Sequence, residues 1–120
     1  MHLNLPVFDQ VAACKNLLIA GMGGGFDVFC GVPIYLELRR RGQTTHLANF
    51  SFSELSMVRG GIHLSPTLIG VQANQTDLLP YFPELYLARW FQEKRAEEVT
   101  VWSFTKTGAG PLLDNYRLLV

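Results

Sequence analysis

A run of glycines directly after a short apolar segment constrains this chain more than any other feature of its sequence. Residues 16–20 are mainly apolar, and residues 21–25 are all glycine except Met22. A short apolar run that ends in a turn is typical of a strand buried on both faces, as in a parallel sheet. Consecutive glycines let the backbone approach an anion closely and form a concave group of N–H donors. The segment therefore predicts a strand followed by a turn that holds a ligand, most often a phosphate group.

The glycine turn departs from two well-known phosphate-binding fingerprints. Gly21 and Gly23 match the dinucleotide pattern G-x-G-x-x-G, but Phe26 takes the place of its third glycine. The acid that binds the ribose about 20 residues later is missing, since Asn49 stands there. The pattern G-x-x-x-x-G-K-S/T is absent too. These differences make ordinary NAD binding unlikely and exclude a Walker loop, and they leave a variant nucleotide- or phosphate-binding turn.

Strand and helix signals alternate along the rest of the chain. Pro83 opens a segment with apolar residues at helical spacing, and Pro33 either kinks a helix or marks its start with Gly31 in the turn. Such alternation predicts an α/β domain with a Rossmann-like three-layer fold and a mainly parallel sheet. Helices are expected at Pro6–Ala13, from Asp27, from Pro83 and at 111–120. Strands are expected at 16–20, Thr44–Phe50, 67–72 and 99–104, and the strand at 67–72 is short, with an edge position as one option. A short helical turn capped by Ser51 or Ser53 is expected after Thr44–Phe50.

Right-handed crossovers in such a sheet place the strand-to-helix loops at one edge. Residues 21–27, 49–53 and 105–110 should therefore converge at the carboxyl ends of the strands, where open α/β sheets bind ligands. The ligand-binding residues predicted there are Gly21, Gly23, Gly24, Gly25, Asp27, Asn49, Lys106 and Gly108.

Composition limits the classes of partner. The chain has 120 residues, which suits one domain spanning residues 1–120, and ten basic residues balance ten acidic ones. This balance argues against nucleic acid, and Arg39, Arg40 and Arg41 fit the end of a helix better than a binding patch. Two cysteines without ligand spacing indicate neither a metal site nor a disulfide framework and favour the cytoplasm. Glycines, Asp27 and Pro33 within the apolar stretch 17–36 argue against a membrane span.

Several single residues allow both a structural and a functional interpretation. Asp27 either caps a helix or binds Mg²⁺ or a ligand hydroxyl or amine. Cys30 is a core residue or a thiolate near a helix start, and the core interpretation is favoured. His46 and His63 are expected to be structural. Lys106 is either a solvated lysine or a partner for phosphate.

The segment 18–28, which contains Gly21, Gly23, Gly24, Gly25 and Asp27, resembles the start of a family of uncharacterised prokaryotic proteins, domain of unknown function 1152. Further similarity lies in Gly31-Val32-Pro33, in residues 49–52 and in the segment from Tyr81 to Trp90. The resemblance implies a Rossmann-like domain and brings no established reaction or cofactor. Family members are typically longer, which agrees with an uncapped last helix and an expected truncation after Val120. Phe26 departs from the family, where glycine is frequent.

Three functions remain open at this stage. The leading hypothesis is binding of an anionic small molecule, a nucleotide or a sugar phosphate, at the glycine turn. The second is a methyltransferase-like domain for S-adenosylmethionine, although Asn49 replaces the acid expected at the end of the second strand. The third is a non-catalytic interaction domain in which the glycines serve only tight packing. The cofactor and the reaction, if any, are not specified by the residues.

Overall fold

The computed structural model describes residues 6–22, 27–105 and 108–120, in which five strands form one sheet. The elements are α1 (Pro6–Ala13), β1 (Asn16–Gly21), α2 (Asp27–Cys30), α3 (Val32–Arg40), β2 (Thr44–Phe50), a 3₁₀ turn (Leu55–Met57), β3 (Ile62–Ser65), β4 (Leu68–Val71), α4 (Pro83–Arg95), β5 (Val101–Phe104) and α5 (Ala109–Leu119). The predicted α/β class is confirmed, and α1 and β2 have the predicted bounds.

The sheet is mixed, with the strand order β1-β2-β5-β4-β3. β1, β2 and β5 are parallel to one another, whereas β4 is antiparallel to β5 and β3 is antiparallel to β4. The expectation of a mainly parallel sheet therefore holds at one end only, and a Rossmann-like arrangement fits this sheet loosely.

The edge position considered for the strand within 67–72 is wrong. β4 lies between β5 and β3, and all four of its residues are buried. The edge is formed by β3, which the sequence did not predict, and three of its four residues are exposed. A short, exposed strand buries too little apolar surface to show the alternation that identifies longer strands.

The helix after the glycine turn is divided at Gly31. α2 ends at Cys30 and α3 begins at Val32, with Gly31 as its N-cap and Pro33 in its first turn. A Cβ on Gly31 would lie 2.7 Å from Cγ2 of Ile19, so the glycine also allows close packing on β1. Of the two interpretations of Pro33, the one in which the helix starts beside it is confirmed.

The three arginines at the end of α3 pair with acidic side chains. Glu37 accepts hydrogen bonds from Arg40 and Arg41, and the bond from Arg40 is the main cause that lowers the pKa of Glu37 to about 2. Arg39 stacks on Tyr35 and pairs with Glu97 at 2.6 Å. The three arginines thus belong to a surface network at a helix end, in line with the structural interpretation.

Helices contact both faces of the sheet. On one face, Ile19, Leu47 and Val101 belong to a cluster with Phe91 and with other residues of α2, α3 and α4. On the other, Ala48 and Phe104 pack with Leu112, Tyr116 and Leu119 of α5. Within the described ranges, no helix has both the length and the apolar character needed to cross a membrane.

Asn115 attaches α5 to the turn between β3 and β4. It is 2 % exposed, and its amide donates to Oγ1 of Thr67 at 2.8 Å and accepts from Oγ of Ser65 at 2.8 Å. Replacement by alanine should lower the free energy of unfolding by about 1–3 kcal/mol, because both hydroxyls lose a buried partner. Urea denaturation followed by circular dichroism measures this change. Asp114→Ala is the matched control on the same helix, expected within about 0.5 kcal/mol because the pair with Arg117 is exposed; equal losses would contradict the assignment.

Candidate functional site

The carboxyl ends of the three parallel strands form one row across the sheet. Gly21 pairs with Asn49, and Asn49 pairs with Ser103. Cross-strand partners lie on the same face, so these three residues share the face that α2 and α4 cover. The structure therefore brings together two predicted site residues, Gly21 and Asn49, at the sheet edge where the glycine turn begins.

The chemical character of this face changes along the strands. Two residues earlier, the equivalent row consists of Ile19, Leu47 and Val101, which pack in the main apolar cluster. At the carboxyl end the row has no side chain at Gly21 and polar side chains at Asn49 and Ser103, which are both fully buried. Buried polar groups cost free energy unless they are hydrogen-bonded, so the partners of Asn49 and Ser103 at this edge need to be accounted for.

Glu84 is the charged group at this edge. Its side chain is fully buried, and its Oε2 accepts from Nδ2 of Asn49 at 2.7 Å while its Oε1 accepts from Oγ of Ser53 at 2.9 Å. Ser51, also buried, accepts through Oγ from the backbone N–H of Ser53 at 3.0 Å. Glu84 lies in the first turn of α4, where a carboxylate complements the helix dipole. The name edge cluster is used below for Asn49, Ser51, Ser53, Glu84 and Ser103.

The bond to Glu84 determines how the Asn49 amide is oriented. A carboxylate accepts hydrogen bonds, so the amide nitrogen of Asn49 must face Glu84 and its oxygen must face away. That oxygen, Oδ1, is buried and has no hydrogen-bond partner among the described residues. A Cβ built on Gly21 would lie 2.7 Å from it and 2.8 Å from the backbone nitrogen of Val28. Oδ1 of Asn49 therefore lies at the base of the glycine turn, between the end of β1 and the start of α2.

Of the other predicted site residues, the structure describes Asp27 and Gly108. Asp27 is exposed and is the first residue of α2. Gly108 is the N-cap of α5 with φ −70°, and a Cβ there would meet no atom of the described residues within 4 Å, so neither these neighbours nor the backbone conformation requires glycine. The hydroxyl of Tyr116 on α5 lies 3.9 Å from Sδ of Met22, directly after β1. Gly23, Gly24, Gly25 and Lys106 lie outside the described residues.

Two expectations for polar residues are corrected. Neither Ser51 nor Ser53 caps the 3₁₀ turn, whose N-cap is Glu54 without a side-chain bond, because both hydroxyls are engaged in the edge cluster. Cys30 is exposed at the end of α2, not buried in the core, and Val28 is the residue that α2 buries.

Each histidine has a hydrogen-bonding neighbour within the fold, and the structural role expected for both stays a prediction. Nε2 of His46 lies 2.9 Å from Oδ1 of Asn16, and burial lowers the pKa of His46. Nε2 of His63 lies 2.9 Å from the carbonyl oxygen of Gly60.

A separate groove runs along the outer side of α4. Its volume is about 390 Å³, and it is lined by apolar residues that include Leu78, Phe82 and Trp90 and by both acidic and basic side chains. One of the acids, Asp77, accepts from the backbone N–H groups of Arg59 and Gly60. Partial burial raises the pKa of Asp77, but these bonds and one from Gln75 outweigh it, so the net shift is downward. No residue of the edge cluster lines this groove.

Glu84 is the residue that sequence reasoning missed. The sequence feature that could have identified it is its place on the apolar stripe of α4. Glu84, Leu87, Ala88 and Phe91 have the spacing i, i+3, i+4, i+7, and all four are buried. A carboxylate on the apolar stripe of a helix must find hydrogen-bonding partners inside the protein. The prediction of this helix rests on Pro83 and on its apolar residues, and it assigns no role to Glu84.

Models of known protein families, curated proteins and solved structures were compared with the chain, and none matched. The resemblance of the glycine–aspartate turn to domain of unknown function 1152 therefore stays a prediction from the residues quoted above.

Proposed function

We propose that this domain binds a nucleotide or another phosphorylated small molecule at the carboxyl edge of β1, β2 and β5, in a Rossmann-like arrangement. One observation supports the proposal above all others: the glycine run begins at Gly21, which lies in one row with the buried polar residues Asn49 and Ser103. In open α/β sheets this edge is the usual place for ligands.

The chemistry of the site suits an anion. Backbone N–H groups of a glycine-rich turn can surround phosphate oxygens, and Lys106, which follows β5 in the sequence, carries a positive charge that could offset them. The edge cluster keeps its one carboxylate, Glu84, buried and hydrogen-bonded on both oxygens. The proposal covers binding and assigns no reaction.

Thermal unfolding with a ligand panel tests the proposal. The panel consists of ATP, GTP, ribose 5-phosphate, glucose 6-phosphate, inorganic pyrophosphate and S-adenosylmethionine, each at matched ionic strength. At least one phosphorylated ligand should raise the Tm in a concentration-dependent way, with about 2.7 kcal/mol of stabilisation when its concentration is 100 times Kd. Gly24→Val should abolish this increase, because a branched side chain obstructs close approach to the backbone.

Two results would decide against nucleotide or phosphate binding. One is the absence of any shift with the five phosphorylated compounds, and the other is an equal shift in wild type and Gly24→Val. A shift with S-adenosylmethionine alone would favour the methyltransferase-like alternative, for which the amide of Asn49 is an unusual end to β2.

One observation favours the interaction-domain alternative. The missing Cβ of Gly21 makes room for Asn49 and for the backbone of α2, so at least this glycine is needed for packing. If all the glycines serve packing alone, their variants should lower the Tm without changing the response to any ligand in the panel.

A further inference from the structure

Four arginines meet where α3 and α4 end. Arg39 and Arg40 belong to the last turn of α3, Arg41 follows directly, and Arg95 is the last residue of α4. The run of three is visible in the sequence, whereas Arg95 joins it through the packing of α4. Because α3 leads into β2 and α4 leads into β5, this group lies at the amino ends of those strands, opposite the edge cluster.

A hollow of about 370 Å³ lies between these two helix ends. It is lined by Leu36, Arg39, Arg40, Arg95 and Glu97, and these five residues are called the arginine pocket. Three of its four charged side chains are therefore positive. The volume lies within the range of sites that hold small molecules.

The guanidinium groups of the pocket are held in place by their neighbours. Glu97 bridges the two helices, because its Oε2 lies 2.6 Å from Nη1 of Arg39 and its Oε1 accepts from Nε of Arg95 at 2.7 Å. Arg39 also stacks on Tyr35, with its guanidinium carbon 5.0 Å from the ring centroid. Side chains that are fixed in this way lose less conformational entropy when they bind a ligand.

The acidic partners do not balance the positive charge of this group. Glu37 is shared by Arg40 and Arg41, and Glu97 is shared by the other two arginines. The ends of α3 and α4 add partial negative charges of about a half each, which leaves about one positive charge in excess. A guanidinium also has more N–H donors than a carboxylate has acceptor sites. Positive charge and donors therefore both exceed what the two carboxylates can accept.

The two carboxylates already show that this surrounding stabilises negative charge. Partial burial raises the pKa of Glu97, but hydrogen bonds from Arg95 and Arg39 and the charges of these arginines outweigh it, so the net shift is downward. The pKa of Glu37 is lowered as well, mainly by the hydrogen bond from Arg40. Both acids stay ionised at neutral pH beside arginines that can bind further oxygens.

We propose that the arginine pocket binds a small multivalent oxyanion, whose charged oxygens belong to phosphate or to carboxylate groups. Guanidinium groups form paired, charge-assisted hydrogen bonds to either kind of oxygen, as Arg40 does to Glu37 through Nε at 2.9 Å and Nη2 at 2.7 Å. The excess of positive charge favours a ligand with two or more negative charges over chloride or a single carboxylate. This site is separate from the one proposed at the carboxyl edge and does not depend on it.

Nuclear magnetic resonance of the full chain labelled with ¹⁵N-arginine tests the proposal, because each arginine side chain gives its own Nε–H cross-peak. Sodium pyrophosphate and sodium citrate are titrated separately at constant ionic strength, with sodium chloride as the control. The cross-peaks of Arg39, Arg40 and Arg95 should move to saturation, whereas that of Arg117, which is outside the pocket, should not move. A response to pyrophosphate alone identifies phosphate as the ligand group, a response to citrate alone identifies carboxylate, and a response to both identifies recognition of charge.

Three variants separate binding from the structural ion pairs. Arg95→Gln should weaken binding about tenfold, because a charge-assisted hydrogen bond is lost. Arg117→Gln removes an equal charge at an exposed position of α5 and should leave the Kd unchanged. Glu97→Gln should strengthen binding about fivefold, because it removes a negative charge that competes with the ligand. Ion pairs that serve the fold alone predict no such gain.

The results that would overturn the inference are equally specific. They are pocket cross-peaks that move with neither anion or move equally with chloride, equal weakening by Arg95→Gln and Arg117→Gln, and weaker binding to Glu97→Gln. If Arg95→Gln does not fold, Arg40→Gln takes its place, since the side chain of Arg40 is 71 % exposed and bonds within α3. Saturable movement of the pocket cross-peaks together with equal Tm shifts in wild type and Gly24→Val would support the arginine pocket and count against the glycine turn alone.

Discussion

Replacement of Asn49 by leucine is expected to lower the free energy of unfolding by about 3 kcal/mol, the cost of leaving a buried charged acceptor without its partner. Asn49 and Glu84 are both fully buried, and their bond of 2.7 Å is one of the two that satisfy the carboxylate. Leucine has the same branching at Cγ and the same number of side-chain heavy atoms as asparagine, so the substitution removes the hydrogen bond without leaving a cavity. Urea denaturation at neutral pH measures the change.

A double variant shows whether this loss comes from the pair. Combining Asn49→Leu with Glu84→Met removes both polar partners and should recover most of the stability, because apolar replacements of similar shape can be nearly neutral. Asn74→Leu, at an exposed position, should stay within about 0.5 kcal/mol of wild type. A loss below about 1 kcal/mol for Asn49→Leu, or no recovery in the double variant, would show that the bond contributes little.

The second large effect is expected at Gly21. An alanine Cβ there would lie 2.7 Å from Oδ1 of Asn49 and 2.8 Å from the backbone nitrogen of Val28. Backbone cannot give way as the end of a flexible side chain can, so Gly21→Ala should cost about 2–3 kcal/mol through overpacking. Thermal and urea unfolding both measure this loss.

Gly108→Ala is the matched control for Gly21→Ala. A Cβ on Gly108 meets no atom within 4 Å in the part of the chain that the structure describes, and its φ is −70°, so alanine should change the stability by no more than about 0.5 kcal/mol. If Gly21→Ala proves as mild as Gly108→Ala, then β1, Asn49 and α2 do not pack as closely as described, and the base of the glycine turn would have room for a side chain.

Local signals account for the parts of the fold that were predicted. Thr44–Phe50 and Pro6–Ala13 were predicted with their observed bounds, and Pro83 marks the observed start of α4. Each of these elements is identified by apolar periodicity or by a proline within its own residues. The antiparallel strands β3 and β4 were predicted less well. β3 was not predicted, and β4 is an internal strand because β3 pairs with the side of β4 that does not pair with β5.

The sequence by itself determined that β1 runs into a glycine-rich segment and that Asn49 lies near the end of β2, because both properties depend on adjacent residues. Only the tertiary structure decided that Gly21, Asn49 and Ser103 form one row and that Glu84 reaches Asn49 from 35 positions away. Strand order and the packing of α4 on the sheet depend on how separate apolar faces combine, and no local pattern encodes that combination. The bond between Glu84 and Asn49 therefore depends on packing, although the position of Glu84 on the apolar stripe of α4 is visible in the sequence.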